Sequence, residues 1–213
     1  VTGVQTCALP ILVGMGKLGG FELNLSSDID LIFLYEHEGE TQGGPKTLSH
    51  HEWFTRMGKR LIKLLSEHDA NGFVFRVDMR LRPNGDSGPL VCSLDMLEEY
   101  LLVQGREWER YAWIKGRLIA PLPGSLQYQV CEKALEQLIR PFVYRRYLDY
   151  GVIASIRDLH AQIQHEAEKR SANHQGRSHD IKLGRGGIRE IEFLAQMFQL
   201  MRGGTDPRFK IGR

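Results

Sequence analysis

No apolar run in the chain approaches the roughly 20 residues needed to span a bilayer, so no membrane partner is expected. Val1–Pro10 holds neither Lys nor Arg and no continuous apolar core, which argues against a secretory leader. Cysteine is scarce: Cys7, Cys92 and Cys131 fall at no metal-ligand spacing and make no even-numbered framework. Excess charge is missing too. Lys and Arg total 28 against 26 Asp and Glu, a formal net charge of +2, so no nucleic-acid partner is expected, although a local basic cleft is compatible with the balance. Internal repeats and low-complexity tracts are absent from the sequence. What remains is 213 residues, 42% hydrophobic and 25% charged, enough for a packed core and read as a reduced, cytoplasmic protein.

Both ends read as foreign. Val1–Ile11 resembles the in-frame translation of a common sequencing adapter, and Ile211–Arg213 resembles the start of the opposite adapter. The natural segment is expected to run from Leu12 to Lys210, with Cys7 outside it.

Leu12–Gly14 reads as the stub of a strand entering a glycine-rich turn that ends at Gly20, where glycine opens backbone angles closed to other residues. Asp28–Tyr35 is a second strand, and His37–Pro45 a polar loop. A helix is expected over 49–66 with an apolar stripe of Trp53, Met57, Leu61 and Leu64. Phe73–Arg82 alternates as a strand would, with Arg76, Asp78, Arg80 and Arg82 on its polar face. Pro83–Pro89 is a turn cluster and Leu90–Cys92 a short strand. Behind Ser93, a good N-cap, helices are expected over 94–117, 125–139, 144–171 and 188–201, with breaks at 121–124, at Pro141 and over 173–187. The division falls near residue 118, giving a core over 12–118 and a helical domain over 119–210. Histidines, including His50 and His51, show no ligand spacing and read as surface residues; Trp108, Tyr111 and Trp113 read as packing.

The chemistry concentrates at Asp28-Ile29-Asp30. In a strand, residues i and i+2 face the same way, so the two carboxylates stand about 7 Å apart at their Cα atoms. Like charges held that close favour a cation between them, and Mg²⁺ suits hard oxygen ligands while keeping room for phosphate oxygens. Two such ions can clamp the attacking and leaving oxygens of a displacement at phosphorus. An isolated Asp-x-Asp is as readily a turn or an exposed edge. Here its neighbours bear on the choice: Gly19-Gly20 can bring backbone N–H groups to a phosphate, and Ser26 and Ser27 offer hydroxyls. Asp78 is a candidate third carboxylate, with Arg76, Arg80 and Arg82 beside it to meet phosphate charge; the same four residues could equally form a structural ion-pair network. Lys182–Gly187, with Arg185 and Arg189, is a second phosphate-loop candidate or a plain helix start. Cys92 and Cys131 have no evident base partner, so no covalent intermediate is expected.

Leu18-Gly-Gly20 followed by Asp28-Ile-Asp-Leu31 resembles the signature of the polymerase β-like nucleotidyltransferase superfamily, with only seven residues between Gly20 and Asp28, on the short side for that signature. The run Gly14–Phe33 is similar to the bacterial bifunctional glutamine synthetase adenylyltransferase/adenylyl-removing enzymes. So are Val77–Pro83, Gly105–Tyr111, Arg140–Arg146 and Lys182–Phe193, in order over essentially all of 12–207. The Gly105–Arg110 and Gly186–Phe193 blocks look more like the N-terminal, adenylyl-removing half than the adenylylating half.

That resemblance implies an α+β fold: a small mixed sheet with helices forming the nucleotidyltransferase core, then a helical domain. It implies a phosphorolysis in which inorganic phosphate removes AMP from an adenylylated tyrosine of glutamine synthetase and releases ADP. The alternatives are transfer of AMP from ATP by the adenylylating half, and a non-catalytic module that keeps the fold. Asp28, Asp30 and Asp78 would hold Mg²⁺, two ions by expectation. Gly19, Gly20, Ser27, Lys17, Arg76, Arg80 and Arg82 would meet phosphate or nucleotide. A PII signalling protein and glutamine are the implied regulators of the full-length enzyme.

Overall fold

The computed structural model describes residues 6–70, 72–145 and 187–209, with isolated positions Asp158, Ala161 and His165. The expected helix over 144–171 and the Lys182–Gly186 loop therefore lie largely outside the described residues.

Strand β2 (Ile29–Tyr35) is the centre of the first unit. Both its faces are apolar beyond Asp30, as a strand covered on two sides requires. Strand β1 (Pro10–Met15) pairs antiparallel along one edge, from Pro10↔Tyr35 to Met15↔Asp30. The other edge of β2 is shared end to end by two short parallel strands, β3 (Val77–Asp78) and β4 (Val91–Ser93). Strand β5 (Arg117–Ala120) adds to the far side of β1, antiparallel. This is a five-stranded mixed sheet with helices, an α+β arrangement. Pro10 and Ile11, which the sequence placed outside the natural segment, belong to β1, and Ile11 is buried.

Between β1 and β2 lies α1 (Gly16–Gly19), a single turn; α2 (His50–Ser66) follows the loop after β2. Ser49 caps α2 by accepting from the Glu52 N–H at 3.1 Å, the local signal that starts the helix there. The buried line of α2 is His50, Phe54 and Gly58, with Trp53, Leu61, Ile62 and Leu65 packed beside it on Ile29, Leu31, Phe33 and Tyr35. Of the expected stripe Trp53 and Leu61 pack on the core, but Met57 and Leu64 face solvent, the buried line shifting to Phe54 and Gly58. Gly58 explains the shift, because a Cβ there would stand 2.8 Å from the Phe33 ring; the helix seats its missing side chain against the sheet. His50 is fully buried rather than superficial, with Nδ1 2.9 Å from the His37 carbonyl and its ring against Phe54.

The expected long strand over 73–82 shrinks to Val77–Asp78. Phe75, Val77 and Met79 do pack on the core, as the alternation expects, whereas Phe73 on the same expected face is exposed and the Arg82 side chain on the polar one is largely buried. The ladder is bounded at both ends: β2 begins only at Ile29, opposite Val77, and past Asp78 the chain turns away, with the Arg82 N–H bonding the Met79 carbonyl at 3.3 Å. Likewise the single helix expected over 94–117 is two, α3 (Leu94–Val103) and α4 (Glu107–Trp113), and its last residue, Arg117, opens β5. Ser93 caps α3 through the Met96 N–H, and the Glu109 carboxylate accepts from the Arg106 N–H at 2.9 Å where the chain restarts as α4.

The chain separates into two compact units that interleave in sequence, 1–105 with 115–139, and 106–114 with 140–213, where the sequence reading set one boundary at 118. Helix α5 (Leu126–Val143) continues past Pro141, which sits in its last turn and interrupts little. The second unit includes α4 and α6 (Ile188–Arg202). Here Arg110, fully buried, donates to the terminal α5 carbonyls of Phe142 and Val143 at 3.0 Å each and pairs with Glu107 at 2.5 Å. A guanidinium thus closes the carbonyl end of the helix. Trp113 is buried and Tyr111 lies against Phe193, while Trp108 is partly exposed. No helix among the described residues is long and apolar enough to cross a membrane.

Candidate active site

The register of β2 and β3 places Asp30 directly opposite Asp78. Side chains at paired positions of adjacent strands stand on one face, and Asp28, two residues before Asp30, shares it. The three carboxylates the sequence singled out therefore meet at the start of β2. Their charges are felt: burial raises the pKa of Asp30, and the neighbouring Asp78 and Asp28 raise it further. Asp78 is shifted the opposite way, because the Arg80 guanidinium and backbone N–H both donate to it.

Each flanking carboxylate has an arginine. Arg76 Nε lies 2.5 Å from Asp28 Oδ1, and its Nη2 donates to the Ser26 carbonyl. Arg80 grips Asp78 through Nε at 2.9 Å and Nη2 at 2.5 Å. Arg82 is set back: its side chain is largely buried, with Nη1 donating to the Met79 carbonyl at 2.7 Å and facing Asp86 at 3.4 Å. With Asp28 and Asp78 so engaged, no group of three or more His, Cys, Asp or Glu is arranged to hold a metal among the described residues. The donor types still fit a hard divalent ion. Among the described residues no arginine pairs with Asp30, whose carboxylate lies against Gly16, where an added Cβ would stand 2.6 Å from Oδ2.

Opposite the carboxylates stands the glycine turn. Gly16 adopts φ +53°, in the left-handed region that glycine enters without strain, and starts α1 immediately after β1. Lys17 Nζ reaches Asn24 Oδ1 at 3.1 Å and Ser27 Oγ at 3.3 Å, and Ser27 in turn donates to Asn24. Gly20 spends its N–H on the Gly16 carbonyl at 3.0 Å, so that amide is committed within the turn. Gly19 is a packing glycine: a Cβ would fall 1.7 Å from the Lys115 carbonyl oxygen. Phe21 and Ser26, at φ +59° and +62°, hold backbone conformations unusual for their types on the two sides of this loop.

Gly16, Asn24 and Arg117 belong to this neighbourhood but were not singled out as site residues in the sequence. Arg117 donates to the carbonyls of Leu18 at 2.7 Å and Gly19 at 3.0 Å from almost a hundred positions away, and no local pattern announces such a contact. Gly16 had a signal, since it stands within the glycine-rich run. Of the second phosphate-loop candidate only Gly187 and Arg189 are described, and Arg189 is exposed.

The sequence matches a family model described as glutamate-ammonia ligase adenylyltransferase over residues 4–133, and one described as GlnD PII-uridylyltransferase over residues 157–210. A bifunctional glutamine synthetase adenylyltransferase/adenylyl-removing enzyme of Ralstonia nicotianae is 66% identical, the match covering 94% of this chain and 22% of that enzyme. The enzymes of the same name from Burkholderia mallei and Chromobacterium violaceum are 64% and 60% identical, with 94% of this chain and 22% and 21% of theirs covered. The chain spans about a fifth of the length of these relatives.

Proposed function

The chain belongs to the glutamate-ammonia ligase adenylyltransferase family, and on that premise we propose that it is the adenylyl-removing half of a bifunctional enzyme, which takes AMP off an adenylylated tyrosine of glutamine synthetase by phosphorolysis. The observation that carries the reading is the side-by-side register of Asp30 and Asp78, with Asp28 on the same face and the Lys17 turn opposite. The choice of half rests on the Gly105–Arg110 and Gly186–Phe193 sequence blocks. A helical domain over 119–210 belongs to the same reading, as do cytoplasmic location and PII as a partner of the full-length enzyme. The match of 157–210 to a PII-uridylyltransferase model lends support to the last.

Asp28, Asp30 and Asp78 would hold Mg²⁺, which when bound supplies positive charge at the phosphorus oxygens and at the leaving phenolate. To do so Asp28 and Asp78 turn away from Arg76 and Arg80. Those arginines are then free for the incoming phosphate, an anion approaching another anion. Lys17, anchored by Asn24 and Ser27, adds fixed positive charge on the opposite side. A phosphate oxygen bonds to the AMP phosphorus, the phosphorus–tyrosyl oxygen bond breaks, and the departing oxygen takes a proton from solvent. The products are ADP and the unmodified tyrosine.

The test is ADP release from adenylylated glutamine synthetase by the full-length enzyme carrying this segment, with phosphate and Mg²⁺. Asp30→Asn and Asp78→Asn are expected to lower turnover by on the order of a thousandfold while the fold persists. AMP transfer from ATP without phosphate-dependent ADP release would assign the segment to the adenylylating half. Unchanged turnover in both variants would remove these carboxylates from the chemistry.

A further inference from the structure

The turn that carries Gly16 and Lys17 is held locally by the Lys17 bonds to Asn24 and Ser27 and by the Gly20 and Glu22 amides, and its tie to the sheet comes from far along the chain. Helix α1 is four residues long, too short to be stable alone, and its N-cap Met15 contributes no side-chain bond. Its carbonyl end leaves the Leu18 oxygen with backbone N–H donors such as Phe21 at 3.5 Å, and the Gly19 oxygen beyond the reach of the helix's own ladder. Arg117, at the start of β5, closes that end: Nη2 meets the Leu18 carbonyl at 2.7 Å and Nε meets the Gly19 carbonyl at 3.0 Å. Its guanidinium carbon also lies 3.7 Å from the centre of the Phe21 ring, which projects into solvent at φ +59°. A guanidinium is suited to this combination, because its planar fork gives two parallel donors and its face stacks on an aromatic ring.

The same strand end supplies two further holds. The Lys115 carbonyl packs on Gly19 so closely that no side chain fits there. Lys115 Nζ pairs with Glu22 at 2.7 Å, just past the turn. Arg117 itself sits opposite Gly14 in the β1–β5 ladder. The turn is thereby tied to the sheet that carries Asp30, and Gly16 seats the Asp30 carboxylate within the 2.6 Å that a Cβ would occupy.

We propose that Arg117 is a positioning residue for the transfer reaction. By bonding the Leu18 and Gly19 carbonyls and stacking on Phe21, it sets where Gly16 and Lys17 stand relative to the Asp30 carboxylate. The proposal rests on the reading of the preceding section for its kinetic consequence, and on the bonds alone for its structural one.

The experiment compares wild type, Arg117→Lys and Arg117→Ala in the full-length enzyme. Lysine keeps the charge but offers neither the fork nor the flat face. We expect the KM for phosphate to rise about tenfold in both variants with a smaller change in kcat. Hydrogen exchange at the Gly20 and Glu22 amides, which bond back into the turn, should quicken at least tenfold in both. A residue that served stability alone would lower melting temperature and active fraction but leave the KM of the folded enzyme unchanged, and that result overturns the proposal. Wild-type KM in Arg117→Lys also overturns it, since charge would then suffice. If Arg117→Ala does not fold, the lysine variant decides. If the wild-type enzyme transfers nothing, the functional reading fails, and the ADP dissociation constant together with amide exchange then judges Arg117 on the same criteria.

Discussion

A methyl group at position 19 would stand 1.7 Å from the carbonyl oxygen of Lys115, a backbone atom that cannot swing aside. Gly19→Ala therefore has to push α1 off the start of β5, and we expect it to cost about 1–3 kcal/mol of stability, read by chemical denaturation. Gly16→Ala differs in kind. Its Cβ meets the Asp30 carboxylate, a side chain that can rotate, but the φ of +53° strains any L residue by about 1 kcal/mol or more. The expected signature is modest destabilisation with a disproportionate loss of turnover, because the carboxylate yields before the backbone does. Cysteines are a second case at this scale. Cys92 is buried, and burial pushes its thiol up to about 12, while Cys7 is exposed and Cys131 is buried. Ellman's reagent should react promptly at Cys7 and at the other two only after denaturation. Because the folded-state value of Cys92 lies above the unfolded one, its contribution to stability is intact below about pH 8.5 and is lost as pH rises from there toward 12. The slope is about 1.4 kcal/mol per pH unit from this group, measurable as a falling denaturation midpoint.

Elements were legible in the sequence wherever one strong local signal decided them. Strand β2 was, since seven successive apolar-rich residues cannot be exposed, and the starts of α2 and α3 were, since Ser49 and Ser93 accept from the N–H three residues on. The carboxylate cluster was legible for the same reason, through the i, i+2 rule and an alternating segment that brought Asp78 onto a neighbouring strand. What failed depended on partners far along the chain. Strand β5 carries no local signal: Arg117 stands at the end of the helix expected over 94–117, nothing is expected of Leu118–Ala120, and only pairing with β1 makes Arg117–Ala120 a strand. The face of α2 is legible only in part: Trp53 and Leu61 pack on the core as expected, but glycine reads as neutral in a hydrophobic pattern although Gly58 seats against Phe33, so Met57 and Leu64 are placed inward when they face solvent. That correction can be checked. Phe54→Ala should cost about 3–5 kcal/mol, as a buried aromatic does, and Met57→Ala less than about 0.5 kcal/mol. Gly58→Ala gains helix propensity of about 1 kcal/mol but drives a methyl into Phe33, and we expect net destabilisation. Equal losses at Met57 and Phe54 in equilibrium unfolding would restore the stripe read from the sequence.

For the molecule as a whole, the placement of charge says more than its near-zero sum. Three carboxylates share one end of the sheet, and the arrangement is tolerable because Arg76 and Arg80 neutralise two of them. Those arginines are half exposed or more, so each pair is weak and can be exchanged for another partner. A divalent cation competing for the same oxygens must displace them, and that competition has a sign. Mg²⁺ binding to the folded chain should raise its melting temperature, by about 2.7 kcal/mol of stability at a concentration one hundred times the dissociation constant. Asp30→Asn should abolish the shift. Arg76→Ala and Arg80→Ala should enlarge it at subsaturating Mg²⁺, because each removes both a competitor and a nearby positive charge, while raising the KM for phosphate. Calorimetry of the four proteins across a Mg²⁺ series makes the comparison. A shift that weakened in the arginine variants would mean the guanidiniums help to build the cation site rather than guard it, and their assignment to incoming phosphate would fall with that result.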